Sequence, residues 1–280
     1  MNTLVTALPR FWADLKSPDF ARLDLARCIA VLPVAAIEQH GPHLPLNVDA
    51  TLVDSVIATA LSHLPAGLPV LFLPTQAIGF SPEHARFAGT LTLKSETVIR
   101  LWTEVAESVA QTGVKKLVLF NSHGGNVGLL DVVARDLRAR LGLLVYSVNS
   151  FNLPLRGEDG ASLADPFSAH EQRFGIHAGE IETSMMLALK PAQVDMAKAQ
   201  NFHSTSQDRA EAFNILGDGR SAKLGWQMQD YNRHGAVGNA AAATADKGHA
   251  LLGAMGRGLA QLLVEIDQLP ADTLSNATAL

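Results

Sequence analysis

Residues 28–49 read CIAVLPVAAIEQHGPHLPLNVD. The first ten of them are apolar and are followed by turn-forming residues, which is the pattern of a strand buried in a sheet. Pro33 argues against this interpretation, because proline cannot donate a hydrogen bond to a sheet ladder. The polar half then carries four ionisable side chains within twelve residues: Glu38, His40, His43 and Asp49. The segment therefore predicts a buried strand that ends in a loop rich in metal-binding groups.

Further apolar runs alternate with helical patterns along the chain. The predicted strands are 70–74, 116–120 and 143–148; the predicted helices are 50–63, one that Ser95 caps and Gly113 closes, and one between Asn126 and Gly142. This alternation predicts an α/β fold, a single domain with a largely parallel sheet and flanking helices. We expect the domain to span residues 1–280, with an N-terminal lead over 1–27 and a poorly ordered tail over 268–280.

Ligands of such sheets bind beyond the carboxyl ends of the strands. Three of the predicted strands are followed by polar groups: His40, His43 and Asp49 after the first, Ser81 and His84 after the second, and His123 after the third. We therefore expect a site at this edge. For residues 37–49 alone, a polar surface loop with Asp49 as a helix cap is the competing interpretation.

Two other segments carry groups suited to chemistry. Residues 120–126, FNSHGGN, let the backbone turn sharply and bring His123 to a ligand, although a plain strand-to-helix turn capped by Asn126 has the same pattern. Residues 176–184 read IHAGEIETS. If they are helical, His177 and Glu180 share a face, with Glu182 about 200° away from Glu180. Glutamates also favour a first helical turn for the sake of the helix dipole, so the choice between them stays open.

Two long polar segments are candidates for the pocket wall. Residues 79–90 read GFSPEHARFAGT, a segment that is too long and contains too many polar and turn-forming residues for a simple connector. We expect its residues Ser81, Glu83 and His84 to contact substrate. Residues 150–175 precede His177 directly and are long and loop-like, which makes them the expected place of substrate selection.

Composition excludes several classes of protein. The chain has 280 residues and a net charge of −5, and its longest run of basic residues is the pair 115–116, so no nucleic-acid partner is expected. Its apolar runs stop near ten residues, against the roughly 20 needed to cross a bilayer. Cys28 is the only cysteine and the N-terminus has no secretion signal pattern, which predicts a cytoplasmic protein without disulfides.

Three motifs together are similar to those of the creatininase (creatinine amidohydrolase) family. They are EQHGPH at 38–43 with Asp49, NSHGGN at 121–126 and HAGEIETS at 177–184, and segments 81–84 and 235–248 add to the likeness. The resemblance implies a single α/β domain and two divalent ions, Zn, Mn or Fe, that activate a bridging water to cleave a C–N bond of a small molecule. It also implies a closed homo-oligomer, often a hexamer.

The resemblance assigns roles residue by residue. The metal ligands it implies are Glu38, His40, Asp49 as the bridge, His123 and Glu180. His177 is expected either to donate a proton to the leaving nitrogen or to stabilise the tetrahedral oxyanion. Ser81, Glu83 and His84 are the expected substrate contacts, and His43, Asn121, Asn126 and Glu182 the residues that hold these groups in place.

Three departures argue against creatinine itself as the substrate. Creatinine hydrolases have a glutamate where this chain has Gly125, another where it has Ile176, and tryptophans in the loop before His177, whereas residues 149–177 contain none. We therefore expect a different cyclic amide, lactam or formamide. Alternatives are a peptide or cyclic ketone substrate, or a metal-binding protein without catalysis. Phosphoester hydrolysis is disfavoured, since the candidate loops offer only Arg86 as a basic residue. Catalysis by a serine nucleophile is also disfavoured, because no Gly-x-Ser-x-Gly elbow occurs.

Overall fold

The computed structural model describes residues 9–163, 166–270 and 272–275. The first eight residues of the predicted lead, and residues 271 and 276–280 of the predicted tail, lie outside this part. Four strands form a parallel sheet in the order β2-β1-β3-β4, with β1 at Ile29–Val34, β2 at Val70–Phe72, β3 at Lys116–Asn121 and β4 at Leu144–Asn149. The predicted α/β fold with a parallel sheet is confirmed, and each predicted strand is present within a few residues of its expected bounds.

Strand β1 lies inside the sheet despite its proline. The carbonyl of Pro33 accepts a hydrogen bond from the Gln76 backbone N–H at 2.9 Å, on the β2 side and beyond the last residue of β2. A strand residue directs its N–H and C=O to the same neighbour, so the N–H that Pro33 lacks removes no bond to β3. The proline therefore sits where β2 has already ended, which is one of the positions a sheet tolerates.

Helices cover both faces of the sheet. Their bounds are α1 Val48–Leu61, α2 Ser95–Gln111, α3 Val127–Leu141, α4 Ala169–Phe174, α5 Glu180–Leu189, α6 Thr205–Ala212, α7 Met228–Tyr231 and α8 Ala245–Gln268, and a small antiparallel pair joins β5 Asn201–Phe202 to β6 Gly238–Asn239. Successive residues of β1 alternate between two apolar cores: Ile29 packs with α1, α5 and α8, and Ala30 with α2 and α3. Within the described residues no helix is long and apolar enough to cross a membrane.

Helix ends agree with the sequence at one predicted position and differ at another. Gly142 follows α3 with a φ of 68°, the left-handed conformation that favours glycine. Ser95 was expected to cap α2, but it is the first residue of the helix, and its hydroxyl lies 3.4 Å from the Glu96 carboxylate instead of a backbone N–H. The predicted cap is therefore wrong, and Lys94 occupies the capping position.

The long helix α8, to which the sequence analysis assigned no element, packs closely against α5. Gly248 of α8 lies against the backbone of Ser184 and Met185, and a β-carbon at this position would overlap the Ser184 carbonyl. This contact fixes the distance between α5 and α8. Since α5 carries Glu182, the contact also affects where Glu182 lies at the sheet edge.

We expect Gly248→Ala to lower the free energy of unfolding by about 1–3 kcal/mol, because backbone atoms of α5 must move to admit the methyl group. Gly253→Ala in the same helix is the matched control, since only the flexible side chain of Arg257 lies near its added β-carbon. That control should gain about 0.5–1 kcal/mol from helix propensity. Urea denaturation measures both, and equal stability of the two variants would contradict the proposed packing constraint.

Candidate active site

Polar groups from five segments meet beyond the carboxyl end of the sheet. Glu38 and His40 follow β1, Asp49 lies in the first turn of α1, His123 follows β3, His177 precedes α5, and Glu182 lies in the first turn of α5. Five of these residues have no more than 6% of their surface exposed. Glu182 is less buried and lies in the wall of a cavity that most of the other groups also line. The predicted convergence of polar residues at this edge is therefore present in the structure.

The first group of ligand atoms surrounds His123. Its Nδ1 atom lies 3.3 Å from Glu38 Oε2 and 3.4 Å from Asp49 Oδ2. Its Nε2 atom lies 3.0 Å from the Phe80 carbonyl oxygen. A carbonyl can only accept, so the ring proton belongs on Nε2, and the lone pair of Nδ1 faces the two carboxylates.

The second group surrounds His40. Its Nδ1 atom donates to the Glu38 backbone carbonyl at 3.0 Å, which leaves the lone pair on Nε2. This Nε2 lies 3.7 Å from Asp49 Oδ1 and 3.8 Å from Glu182 Oε2. The two oxygens of Asp49 thus face different histidines, so that Asp49 connects the two groups.

Three atoms of this centre are buried and have no hydrogen-bond partner among the described residues: Glu38 Oε2, His40 Nε2 and Asp49 Oδ2. Buried polar atoms are nearly always paired, because an unpaired one costs about 1–3 kcal/mol. All three are good ligands for a divalent ion. The described residues also contain three overlapping groups with metal-ligand spacing, of which one consists of His40, Asp49 and Glu182.

The electrostatic field of the centre favours positive charge. Burial opposes the charged form of His40, but Asp49, Glu182 and Glu38 outweigh it and raise the pKa of His40 to about 9. Burial likewise opposes charge on His123, yet Glu38 and Asp49 hold its pKa well above the ordinary value. Burial and the charge of Asp49 raise the pKa of Glu182 to about 7, against the opposing effect of His40. The carboxylates of the centre therefore attract positive charge.

Glu180 lies elsewhere, and the expectation that it completes the second group needs correction. Its carboxylate binds Lys247 of α8 in an ion pair, while the carboxylate beside His40 is that of Glu182. His177 and Glu180 would share a face only if both residues lay within one helix. In the structure α5 begins at Glu180, His177 is extended and pairs with Val237, and Ala178 turns the chain with a φ of 54°.

His177 and His84 are held by Gln39, a residue that the sequence analysis did not single out. The Gln39 carbonyl lies 2.7 Å from His177 Nε2 and accepts its proton, which leaves Nδ1 of His177 unprotonated and 3.6 Å from Glu38 Oε1. The Gln39 side-chain amide lies 2.7 Å from His84 Nδ1. Burial and the neighbouring His40 and His84 keep the pKa of His177 well below its usual value, so its ring is neutral.

The predicted substrate contacts lie close to the first group. Ser81 Oγ is 3.2 Å from His123 Nε2, and the Glu83 carboxylate is 3.5 Å from the same atom. His84 Nε2 lies 3.4 Å from Glu38. Burial raises the pKa of Glu83, and Glu83 and His84 also line the cavity over the centre. Glu83 therefore lies beside the candidate ligand His123 and also in the wall of the cavity in which a substrate would bind.

The residues expected to hold the centre in place form hydrogen bonds with the loops and the helix that carry it. Asn121 brackets the His123 backbone, accepting from its N–H at 3.0 Å and donating to its carbonyl at 2.7 Å. Asn126 is not a side-chain cap of α3; it joins the loops instead by accepting from Phe80 N–H and donating to the Ala35 carbonyl. His43 Nε2 pairs with Thr183 of α5 at 3.0 Å.

Two further residues were missed by the sequence analysis. Glu171 is buried and accepts from the backbone N–H groups of Glu180 at 2.7 Å and Asn239 at 2.9 Å, which anchors the start of α5. Trp226 lines the cavity and stands edge-on to His84, with ring centroids 6.2 Å apart. A tryptophan therefore does reach the site, from a segment after His177. Neither residue lies in a recognisable motif, so only the tertiary structure reveals them.

The cavity over the centre has a volume of about 490 Å³, a size suited to a small molecule. Residues 150–175, the expected place of substrate selection, line this cavity with both ends of the segment. The first end provides Ser150, Phe151 and Asn152, and the second provides Gln172 and Gly175. Apolar side chains complete the wall: Leu52, Ile181, Met185, Met255 and Trp226. Polar ligand atoms thus lie at the floor of a partly apolar pocket.

The site gathers imidazole and carboxylate groups at the ends of the parallel strands of an α/β domain, an arrangement suited to a metal-dependent hydrolase. The family model for creatininase, described as creatinine amidohydrolase, matches residues 13–263. The chain belongs to the creatininase family, and the resemblance seen in its motifs is confirmed.

Known proteins of two activities are similar to this chain. A mycofactocin precursor peptide peptidase of Mycobacterium tuberculosis is 34% identical over 187 residues, which are 65% of this chain and 66% of the peptidase, just under two thirds of its length. A creatinine amidohydrolase of Pseudomonas putida is 30% identical over 186 residues, 63% of this chain and 70% of that enzyme. The solved structure named "Creatininase Mn" superposes with a TM-score of 0.69 at 25% identity, covering 91% of this chain and 97% of that one.

Gly125 has no room for a side chain. A β-carbon there would overlap the Glu83 carboxylate, His123 Nε2 and the Phe80 carbonyl, whereas nothing lies near a β-carbon added at Gly124. We expect Gly125→Ala to displace His123 and to weaken metal binding by about 10- to 100-fold, as loss of a group that orients a ligand does. Gly124→Ala is the matched control and should bind metal like the native protein. Equilibrium dialysis with Mn²⁺ measures both, and equal affinities would contradict the packing described here.

Proposed function

We propose that this protein is a two-metal hydrolase that cleaves a C–N bond of an amide, lactam or formamide. The observation that carries the proposal is the position of the two ring nitrogens of His40 and of His123. Each ring donates its proton to a backbone carbonyl and presents its other nitrogen to the same buried carboxylate, Asp49. Backbone acceptors of this kind fix the tautomer of metal-ligating histidines.

The donor set fits two divalent cations. Glu38, His123 and Asp49 would hold one, and His40, Glu182 and Asp49 the other. Ligand atoms bound tetrahedrally at about 2.0–2.2 Å from an ion stand about 3.4 Å apart. The distances of 3.3 to 3.8 Å between these nitrogen and oxygen atoms are close to that spacing. A structure named for manganese among the relatives supports the choice of metal, with zinc and iron suited by the same ligand types.

The remaining polar groups supply positions for substrate and proton. Divalent ions at this centre would polarise the scissile carbonyl and lower the pKa of a water molecule between them. His177 Nδ1 is unprotonated and lies beside Glu38, so it can accept a proton at that atom and donate it to the leaving nitrogen. Because its Nε2–H is held by the Gln39 carbonyl, the ring keeps one orientation throughout. His84 and Glu83 line the cavity where the acyl part would lie.

A peptide is the second candidate substrate. The Mycobacterium tuberculosis relative is named as a peptidase, and the pocket is framed by apolar side chains that suit an extended chain as well as a ring. The absence of tryptophan from residues 149–177 is in keeping with both candidates. Assembly into a homo-oligomer and a cytoplasmic location stay predictions.

Metal removal tests the central claim. Treatment with a chelator should abolish hydrolysis of a panel of amides, lactams, formamides and short peptides, and Mn²⁺ or Zn²⁺ should restore it, because the ions activate the attacking water. Metal analysis of the reconstituted protein should find two ions per chain. Fewer than one bound ion, or hydrolysis that survives in His123→Ala, would overturn the proposal.

The two glutamates of α5 provide a sharper test of the ligand set. Glu182→Gln should cost more than about 100-fold in activity and reduce metal content toward one ion per chain, since loss of an outer partner alone costs about 10- to 100-fold. Glu180→Gln is the matched control: it lies two residues away on the same helix, should keep both ions, and should lose only the ion pair with Lys247. Metal content and turnover of the two variants should differ in this direction. If they are reversed, Glu180 is the ligand.

A further inference from the structure

A second cavity opens from the one over the metal centre, and we call it the outer cavity. It has a volume of about 1060 Å³ and is lined mainly by α4, α6, the segment 216–226 and Tyr231. The two cavities share six wall residues: Glu83, Gly124, Gly125, Gln172, Ile176 and Trp226. A substrate whose scissile bond lies at the centre can therefore extend past Trp226 into the outer cavity.

The outer cavity is rich in positive charge. Its wall contains four basic residues, Arg173, Arg209, Arg220 and Lys223, and two acidic ones, Glu83 and Asp218. Within the described residues none of the four basic side chains forms a salt bridge, whereas the exposed arginines of α2 and α3 do. The Asp218 carboxylate is occupied by its own turn, since it accepts from the backbone N–H groups of Arg220 and Ser221. In a chain of net charge −5, this wall holds two more basic than acidic residues and can attract an anionic ligand.

Arg209 is positioned rather than free. Its guanidinium lies over the ring of Tyr231, 5.0 Å from the centroid, and its Nη1 donates to Thr205 Oγ1 at 3.1 Å. Its Nη2 is buried and has no hydrogen-bond partner among the described residues. Tyr231 in turn packs on Trp226, with centroids 4.8 Å apart. A chain of stacked groups thus leads from the inner cavity to a guanidinium with unused donors.

Arg173, on the opposite helix, is oriented in a similar way. Its guanidinium lies 4.8 Å from the centroid of the Phe174 ring, and its Nη2 donates to the Gly217 carbonyl at 2.7 Å. Its remaining N–H groups are available at the cavity wall. A planar guanidinium held by stacking loses little freedom when it binds an oxyanion with paired hydrogen bonds.

We propose that the outer cavity binds an anionic group, a carboxylate or a phosphate, carried by the substrate at the end remote from its scissile C–N bond. This inference rests on the proposed hydrolase function and narrows its substrate class. The aromatic pair Trp226 and Tyr231 would contact the part of the substrate between the two ends. Such a substrate is charged and long enough to occupy parts of both cavities.

The test uses the Mn²⁺-loaded protein and two matched pairs of probes. One pair is acetyl-alanyl-alanine and its C-terminal amide, and the other is 2-formamidoethyl phosphate and 2-formamidoethanol. Dissociation constants come from tryptophan fluorescence at low and high salt, and turnover is followed separately. The variants are Arg209→Gln and Lys223→Gln, of which the second is exposed and leaves the fold intact. Arg100→Gln, an exposed arginine of α2 paired with Glu104, is the control for loss of one positive charge.

The charged member of at least one pair should bind about tenfold or more tightly than its neutral partner, the effect of a charge-assisted hydrogen bond. This preference should shrink at high salt and in Arg209→Gln and Lys223→Gln, and persist in Arg100→Gln. The pair that shows it identifies carboxylate or phosphate as the group. Equal binding within both pairs, or a preference unchanged in both cavity variants, would overturn the inference. Anion binding without amide turnover would instead refute the hydrolase function alone.

Discussion

The carboxylate of Asp49 lies buried between the imidazoles of His40 and His123, with one oxygen facing each ring. Together with Glu38 and Glu182 it concentrates negative charge in a largely buried space, and such charge must be compensated. The same negative charge raises the pKa values of both histidines against the opposing effect of burial. Two cations would satisfy the same requirement and would use the carboxylate and imidazole atoms that have no hydrogen-bond partner in the described part of the chain.

The fold supplies the rigidity that this arrangement needs. Strands β1 and β3 are neighbours in the middle of the sheet, so the loops after them deliver Glu38, His40 and His123 to one place. Helix α1 contributes Asp49 from its first turn, and α5 contributes Glu182 from its own. The position of α5 depends on its tight packing against α8 and on the buried carboxylate of Glu171, which binds backbone N–H groups at its start. Residues far from the centre therefore control its geometry.

The site also shows how one family can serve different substrates. A centre with the same ligand types lies at the floor of a pocket whose walls come from loops and short helices. In this chain Trp226 closes one side from a segment after His177, and the basic outer cavity lies beyond it. Such segments carry few core residues, so they can change in sequence without disturbing the sheet. The candidate ligands thus lie at strand ends and helix starts, whereas the cavity walls come mainly from the surrounding segments.

The sequence alone determined the α/β architecture, because alternating buried strands and amphipathic helices leave a clear pattern, and it located Glu38, His40, Asp49 and His123, which follow strands within short motifs. It did not determine which glutamate of α5 joins them. That choice depends on the left-handed turn at Ala178 and on the ion pair between Glu180 and Lys247, of which the second is a contact between distant parts of the chain. Gln39, Glu171 and Trp226 acquire their roles in the same way. Local periodicity records which residues are buried, whereas the direction of a side chain at a helix end is decided by what packs against it.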